Sequence, residues 1–267
     1  MKRHPTRGCM EERVAAQRVT FDGAKPLEDS VAIEEPLEIH INGQPWITTM
    51  RTPGQDSELA LGLLYTEGLL RDIGEIESIL VDDNVVLIEG DISIDGHLRG
   101  FVRSSSCGVC GRASLDSIMS RQPPPIPTQG FTIQSNSIPS ILNQLRSLQS
   151  MFDSTGGVHA VALFNNEGEI TDLAEDVGRH NAMDKIIGKS IHNLPVSNHG
   201  FLLSGRVSFE MVQKAVMAGS PSIVAIGAPT SLAIELARQH GITLIGFARG
   251  NRYNVYTGSW RIHNNGE

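Results

Sequence analysis

The amino-acid sequence has few cysteines and no long apolar segment. Only three of its 267 residues are cysteine, too few for a disulfide framework. No stretch approaches the roughly 20 consecutive apolar residues that a membrane span requires. The basic residues near the start are not followed by an apolar run, so a secretory signal is not expected. These absences predict a cytoplasmic protein with reduced thiols and no contact with a membrane.

The chain also lacks an excess of positive charge. Its formal net charge is −8, whereas a general nucleic-acid-binding protein is usually basic because phosphate contacts dominate its affinity. A nucleic-acid partner is therefore not expected. Lysine is scarce, since 17 of the 22 basic residues are arginine. The forked guanidinium group binds phosphate and carboxylate, so this excess indicates either local sites for anionic ligands or only a bias of the coding DNA.

A proline-rich stretch divides the chain. Hydrophobic residues make up 40% of the sequence, enough for one large core or two smaller ones. The prolines of "RQPPPIPTQG", residues 121–130, are incompatible with a helix interior or a central strand. We therefore predict a flexible N-terminus over residues 1–24, a smaller α+β N-terminal lobe over 25–122, and an α/β domain over 123–267.

The N-terminal lobe reads as short strands around one helix. Residues 31–49 alternate apolar and polar side chains, and Asn42-Gly43 is typical of a hairpin turn. A turn and a leucine-rich helix follow, with Asp56 or Ser57 as candidate N-caps. Two or three further short strands are expected before residue 103.

The C-terminal part has the pattern of a parallel sheet covered on both faces. Residues 137–152 read as helical, and a strand, a turn and a second strand follow. Near the end, two uninterrupted apolar runs at residues 223–226 and 243–247 flank a helical run at residues 231–239. Continuous apolar strands on either side of a helix indicate a β-α-β unit. The predicted fold class is α/β.

Two cysteines, Cys107 and Cys110, lie three apart in the stretch "SSSCGVCG". A structural zinc site normally needs four ligands, and this chain has one CxxC pair. A thioredoxin-type redox pair remains open, although the flanks here are small and polar. Two buried, unreactive cysteines are a further alternative. The third cysteine, Cys9, has no predicted role.

Zinc-deaminase chemistry is excluded by the residues around His159. That chemistry uses H-x-E followed by P-C-x-x-C, whereas this chain has "HAV" at residues 159–161 and its CxxC comes earlier, without the proline.

The remaining interpretation of the CxxC pair is a nucleophilic thiolate that accepts and donates sulfur. Serines before the pair, and an amphipathic segment after it, favour a cysteine near a helix start, where the thiol pKa falls. Arg103 and Arg112 add positive charge nearby.

Four longer blocks resemble a known family. They are "SSCGVCGR" at residues 105–112, "AEDVGRHNAMDKIIG" at 174–188, "SGRVSFEMVQKA" at 204–215 and "GFARGNRYNVYT" at 246–257. Together they resemble the formate dehydrogenase accessory protein family, FdhD. The resemblance implies a sulfurtransferase that receives persulfide sulfur from a cysteine desulfurase. It also implies delivery of that sulfur to the Mo-bis(molybdopterin guanine dinucleotide) cofactor, bound as a substrate, for the formate dehydrogenase catalytic subunit.

The resemblance also implies a fold and site residues. It predicts a cytidine deaminase-like C-terminal domain, a homodimer, and no metal bound by the protein itself. Cys107 matches the persulfide cysteine and Cys110 the second cysteine. The segment expected to bind the cofactor, with GDP as a possible mimic, comprises Phe247, Ala248, Arg249, Gly250, Asn251 and Arg252. Two rivals are a non-catalytic cofactor carrier, which would need this segment but not Cys107, and a dithiol redox protein, which would need both cysteines.

Other residues are weaker candidates for ligand binding. Arg206 and Ser208 precede a predicted helix whose N-terminus could hold a phosphate, but we prefer Ser208 as a plain helix cap. Residues 227–231, "GAPTS", are either a cap or a ligand loop. His159 and His180 lie in the matching blocks and are either structural or part of the site.

Overall fold

The computed structural model describes residues 10–94, the backbone of residues 102–103, and residues 123–264. Its first element is a hairpin of β1 (Glu11–Thr20) and β2 (Gly23–Ala32), paired along the full length of both strands. Residues 11–20, within the N-terminus predicted to be flexible over residues 1–24, therefore form a strand, and the flexibility itself stays a prediction. Most side chains of β1 face solvent, so this strand lacks the buried face whose alternation normally signals a strand.

The N-terminal lobe is a five-stranded sheet with a helix, α1 (Asp56–Glu67), packed against it. The strand order is β5-β6-β3-β4-β7. The strands are β3 (Glu35–Ile41), β4 (Gln44–Arg51), β5 (Ile76–Asp82), β6 (Val85–Gly90) and β7 (Val102–Arg103). Alternate residues of β3 and five residues of α1 are buried in one apolar cluster. Neither predicted cap caps α1, since its N-cap is Gln55 and Asp56 instead pairs with Arg51 Nε at 2.9 Å.

The C-terminal part is built on a six-stranded mixed sheet of order β10-β9-β11-β12-β13-β14. The strands are β9 (His159–Phe164), β10 (Ile170–Asp176), β11 (Gly200–Leu203), β12 (Ser222–Ala225), β13 (Thr243–Arg249) and β14 (Arg252–Thr257). Strands β11, β12 and β13 are parallel, and β10 runs in the same direction because β9 is antiparallel to both β10 and β11. This confirms the predicted β-α-β unit and the α/β class.

Helices cover both faces of this sheet. They are α2 (Ser137–Leu148), α3 (Ser150–Thr155), α4 (Arg179–Lys189), α5 (Phe209–Met217) and α6 (Ser231–Gln239). One apolar cluster joins α4, α5 and α6 to the sheet, and another joins α2 to the opposite face. Successive residues of β9 alternate between the two clusters, as strand geometry requires. A small bridge of β8 (Ile133–Gln134) and β15 (Ile262–His263), and three 3-10 turns, complete the described elements.

The two sheets are joined through α1 and α4. A Cβ on Gly62 of α1 would lie 1.9 Å from the carbonyl oxygen of Asp184, and a Cβ on Gly188 of α4 would lie 1.8 Å from that of Glu58. The two helix backbones can approach this closely only because both positions lack a side chain. The predicted domain boundaries and the deaminase-like description of the C-terminal part stay predictions.

None of the helices in the described ranges is long and apolar enough to cross a membrane.

Candidate functional site

The candidate site lies at one edge of the six-stranded sheet. Strands β10, β11, β12 and β13 all end there, and β9 begins there. We call this the carboxyl edge. In open α/β sheets, ligands bind outside the carboxyl ends of parallel strands, where the connecting loops are free to vary. The loops after β11 and β12, the start of α4 and the connection from β13 to β14 supply its side chains.

The 247–252 segment forms the end of β13 and the turn into β14. Arg249 pairs with Arg252 across a two-residue turn of Gly250 and Asn251. Phe247 adopts a left-handed backbone with φ of 54°, and its side chain is 44% exposed. A bulky aromatic residue at positive φ is uncommon and is held only by its surroundings. The exposed ring and the two exposed arginines are therefore available to a ligand at this edge.

Ala248 differs from the rest of the segment, because it is buried in the core cluster beneath α2. Any contact from Ala248 to a ligand would have to come from its backbone.

Backbone hydrogen bonds join the loops that follow β11, β12 and β13. The Gly227 N–H donates to the Gly205 carbonyl over 3.1 Å, and the Phe247 N–H donates to the Gly227 carbonyl over 3.1 Å. A Cβ on Gly227 would lie only 2.5 Å from the Gly205 oxygen. Glycine at this position therefore lets the three loops lie side by side. The 247–252 segment is consequently two strands away from Gly205.

Four basic side chains surround Gly205 and form what we call the cationic cluster. His159 begins β9, Arg179 and His180 begin α4, and Arg206 lies in the loop after β11. A Cβ on Gly205 would lie 3.3 Å from His159 Nδ1 and 4.0 Å from Arg179 Cδ. Arg206 is exposed, whereas the other three side chains are half-buried. The sheet order thus brings together residues that are far apart in the sequence.

Burial and the neighbouring charges of the cationic cluster shift the pKa values of His159 and Arg179. Burial lowers the pKa of His159, and Arg179, His180 and Arg206 lower it further, while Asp176 opposes them. Burial and the neighbouring Arg206 also lower the pKa of Arg179, and Glu210 opposes this. Since the ordinary histidine pKa is about 6.5, His159 is neutral at pH 7. Its ring therefore adds no positive charge next to the two arginines.

His180 and Ser208 are held together at the start of α5. His180 Nε2 lies 2.9 Å from Glu210 Oε2 and 3.4 Å from Ser208 Oγ. Ser208 is the N-cap residue of α5, as predicted, but its side chain makes no capping hydrogen bond. At the next loop, the Thr230 side chain accepts a hydrogen bond from the Ala233 N–H over 3.3 Å. The "GAPTS" stretch therefore does contain an ordinary helix cap.

A buried network ties the carboxyl edge to the N-terminal lobe. Asp176, at the end of β10, is fully buried, with Lys185 Nζ 2.7 Å from its Oδ2. The same oxygen accepts the Thr52 N–H over 3.2 Å, and Thr49 Oγ1 donates to Asn181 Oδ1 over 3.3 Å. Burial raises the pKa of Asp176, and Lys185 opposes that rise. The end of β4 is thereby fixed against the start of α4.

The predicted catalytic cysteines, Cys107 and Cys110, lie outside the described residues, as does Cys9. Their roles stay predictions. The nearest described backbone before them is β7, which pairs in parallel with β4 so that Arg103 is opposite Thr49. Within the described ranges, no group of three or more histidine, cysteine or acidic residues is arranged to hold a metal ion.

Comparison with known proteins identifies the family. The model of the FdhD/NarQ family matches residues 32–263. The chain belongs to the FdhD/NarQ family. Proteins named sulfur carrier protein FdhD from Streptomyces avermitilis and Saccharolobus solfataricus are 43% and 42% identical to it. Each alignment covers 96% of this chain, and they cover 96% and 100% of the two relatives. The family resemblance carried by the four sequence blocks is confirmed.

A solved structure extends this likeness to the fold. A crystal structure described as a formate dehydrogenase accessory protein, from Desulfotalea psychrophila, matches with a TM-score of 0.79 and 25% sequence identity. The match covers 96% of this chain and all of the other. The mixed arrangement of sheets and helices is therefore the arrangement of an FdhD/NarQ protein.

Sequence reasoning alone does not single out Arg179, although the residue lies in one of the FdhD blocks. Its local signal is an arginine directly after Gly178, where a strand ends and a helix begins. That signal is weak, because basic residues are common near helix ends. The proximity of Arg179 to Arg206 depends on β10 and β11 lying on either side of β9, which no local pattern reveals.

Proposed function

We propose that this FdhD/NarQ protein is a sulfurtransferase that serves the maturation of formate dehydrogenase. Cys107 would take sulfur from a cysteine desulfurase and pass it to the molybdenum of the Mo-bis(molybdopterin guanine dinucleotide) cofactor, bound as a substrate. The main support is family membership across residues 32–263, a range that contains the CxxC motif. The relatives' name, sulfur carrier protein, agrees with this chemistry.

The loading step needs only a thiolate at Cys107. The thiolate attacks the terminal sulfur of the donor's persulfide, a new S–S bond forms on Cys107, and the donor cysteine leaves as a thiolate. A thiolate rather than a thiol is the nucleophile, so positive charge near the cysteine favours the step. Cys110 would relay or protect the bound sulfur. The proposal also includes a homodimer and a cytoplasmic location.

Chain connectivity supports action at the carboxyl edge. Cys107 is four residues beyond Arg103 in the sequence. Arg103 is paired with Thr49, whose side chain contacts Asn181 on the first turns of α4. The described backbone that precedes the CxxC along the chain therefore lies beside the strand that contacts the start of α4.

We further infer that the 247–252 segment binds the guanine nucleotide part of the substrate. Phe247 is exposed enough to stack on a base, and Arg249 and Arg252 can bind phosphate through charge-assisted hydrogen bonds. Gly250, at φ of 53°, leaves the turn without a side chain. GDP is the natural probe. Arg249→Ala and Arg252→Ala should each weaken GDP binding, and unchanged affinity in both would contradict this assignment.

A cytidine deaminase-like description of the C-terminal domain is part of the same proposal. The strand order, with β9 and β14 antiparallel to the other four strands and helices on both faces, is what supports it. Fold does not determine chemistry, and the "HAV" at residues 159–161 lacks the glutamate that deamination uses.

Mass spectrometry tests the sulfur-loading step. The protein is incubated with a cysteine desulfurase and cysteine, digested without reductant, and searched for one added sulfur atom on Cys107. We expect the added sulfur on the wild-type protein and on Cys110→Ala, but not on Cys107→Ala. A protein that never gains sulfur on Cys107 would point to the carrier alternative, whereas a Cys107–Cys110 disulfide as the sole product would point to the redox alternative.

A further inference from the structure

We propose that Arg179 and Arg206, together with His159, form a phosphate-binding subsite that is separate from the 247–252 segment. Its ligand would be the phosphate group of the guanine nucleotide that lies farthest from the base at Phe247, whereas Arg249 and Arg252 would contact the phosphate nearer the base. This inference rests on the proposed function for the identity of the nucleotide. Its geometric basis is the cationic cluster at the carboxyl edge.

The charges at this edge favour an anion. Arg206 lies close enough to disfavour the positive charge of Arg179, which is half-buried. Two like charges in a partly desolvated site cost stability unless an anion is present. Glu210 lies close enough to favour the charge of Arg179, but it also pairs with His180 at 2.9 Å. Asp176 pairs with Lys185 at 2.7 Å. Both nearby carboxylates therefore already have hydrogen-bonding partners other than Arg179.

Arg179 also has an N–H donor that no described residue accepts from. Arg179 Nε is shielded from solvent and has no hydrogen-bond partner among the described residues. A buried N–H without a partner costs free energy, and such groups in native proteins need an explanation. A phosphate oxygen between Arg179 and Arg206 would accept from this donor. Phosphate is matched to the fork of a guanidinium group, which presents parallel N–H donors.

Backbone polarity at this edge also favours an anion. Gly205 has no side chain, and this lets its backbone lie close to His159, since a Cβ there would be only 3.3 Å from Nδ1. Helices α4 and α5 both begin at this edge, of 11 and 9 residues, and their free N–H groups favour an anion. The α5 N-terminus also lacks a side-chain cap. The arginines and two helix starts thus lie together at this edge.

The distance between Gly205 and Phe247 also suits a nucleotide. The Phe247, Gly227 and Gly205 backbones are linked in series by two hydrogen bonds. They follow three adjacent strands, so Phe247 and Gly205 are separated by two strand spacings, or about 10 Å. This is comparable to the reach from the base of a nucleoside diphosphate to its terminal phosphate. A single nucleotide could therefore contact Phe247 and the cationic cluster together.

Calorimetry with three probes tests the subsite on the full-length protein without sulfur. The probes are GDP, guanosine, which has no phosphate, and inorganic pyrophosphate. The variants are Arg179→Gln and Arg206→Gln. Each should weaken GDP and pyrophosphate binding by about 10-fold to 100-fold, because each removes a charge-assisted hydrogen bond. Guanosine binding should not change, since guanosine does not reach the cluster.

Arg238→Gln is the matched control, because Arg238 is an exposed arginine in the last turn of α6, away from the carboxyl edge. It should leave all three affinities unchanged. Thermal unfolding checks each variant, and if Arg179→Gln does not fold, the exposed Arg206 decides the question. Unchanged GDP and pyrophosphate binding in Arg206→Gln, or an equal loss of GDP and guanosine binding, would overturn the subsite.

The result is independent of sulfur transfer. Failure to load sulfur on Cys107 would contradict the proposed function and leave these affinities as measured, whereas loss of the subsite would leave the mass of Cys107 unaffected.

Discussion

The pKa of His159 is sensitive to the charges at the carboxyl edge. Its ring lies beside Gly205, and its pKa is lowered first by burial and then by Arg179, His180 and Arg206. Asp176 acts in the opposite direction. Any anion that binds between the arginines would cancel part of the positive field. The pKa of the His159 imidazole therefore shows whether an anion is bound between Arg179 and Arg206.

We predict that pyrophosphate raises the pKa of His159. The bound anion stabilises the imidazolium form by direct attraction and by neutralising Arg179 and Arg206. Arg179→Gln should also raise the pKa, because it removes one positive neighbour. NMR titration of the imidazole carbon-bound protons measures both effects.

His240 supplies the control for this titration. Its pKa is lowered by burial alone, and it caps the C-terminal end of α6, away from the edge. Its titration should be the same with and without pyrophosphate. An unchanged pKa of His159 under both conditions would show that no anion binds beside it.

At the scale of the elements, a second buried ion pair fixes α1, α4 and α5 together. Lys214 Nζ lies 2.7 Å from Asp184 Oδ1 and donates to Thr66 Oγ1 over 2.9 Å, and both charged side chains are at least 95% buried. Burial raises the pKa of Asp184, and Lys214 opposes this. Removing either partner alone would therefore leave the other one buried without its ion-pair partner.

We predict that Lys214→Met destabilises the protein by about 3–5 kcal/mol, because it leaves the Asp184 carboxylate buried without its partner. The double variant Asp184→Leu with Lys214→Met should recover most of that loss. Urea unfolding followed by circular dichroism gives the free energies.

Lys189→Met is the matched control, since the Lys189–Asp172 pair is partly exposed. It should cost at most about 1 kcal/mol. Equal losses for Lys189→Met and Lys214→Met would contradict the role given to burial.

The contact between α1 and α4 depends on glycine. We predict that Gly188→Ala costs about 3 kcal/mol of unfolding free energy, because its Cβ would lie 1.8 Å from the Glu58 oxygen and the helices would have to separate. Gly157→Ala is the control, since the nearest atom there would be 3.5 Å away. If thermal melts gave the same unfolding temperature for both variants and the wild type, this explanation of the helix contact would be contradicted.

At the scale of the whole molecule, half-buried histidines make stability depend on pH. Burial lowers the pKa of His159, His199 and His240 below the ordinary value of 6.5. Below pH 6.5 the unfolded chain therefore binds more protons than the folded protein, and stability falls as the pH falls toward the folded pKa values. Asp176 and Asp184, whose pKa values are raised, act in the opposite sense.

We predict that His240→Gln reduces this pH dependence. Comparing the variant with the wild type isolates the histidine, because the two carboxyl groups are present in both. Urea midpoints at pH 7.5 and at pH 5.5 should differ less in the variant. An identical difference in both proteins would exclude His240 as a contributor.

The sequence predicts β12 and β13 well, because each is largely a continuous apolar run. The helix at residues 231–239 is found at the predicted positions. The β1–β2 hairpin was missed because β1 has almost no buried face, so no alternation marks it. The cationic cluster could not be predicted because Arg179 and Arg206 meet only through the strand order. The 247–252 segment was identified by family resemblance, and its turn and exposure came from the structure.

The central claim is that sulfur reaches formate dehydrogenase through Cys107. The most direct test expresses the wild-type protein or Cys107→Ser in cells that lack their own copy, with matched protein levels confirmed by immunoblot, and assays formate dehydrogenase activity. The account predicts activity with the wild type and none with Cys107→Ser, although the variant still binds GDP. Full activity with Cys107→Ser would contradict it.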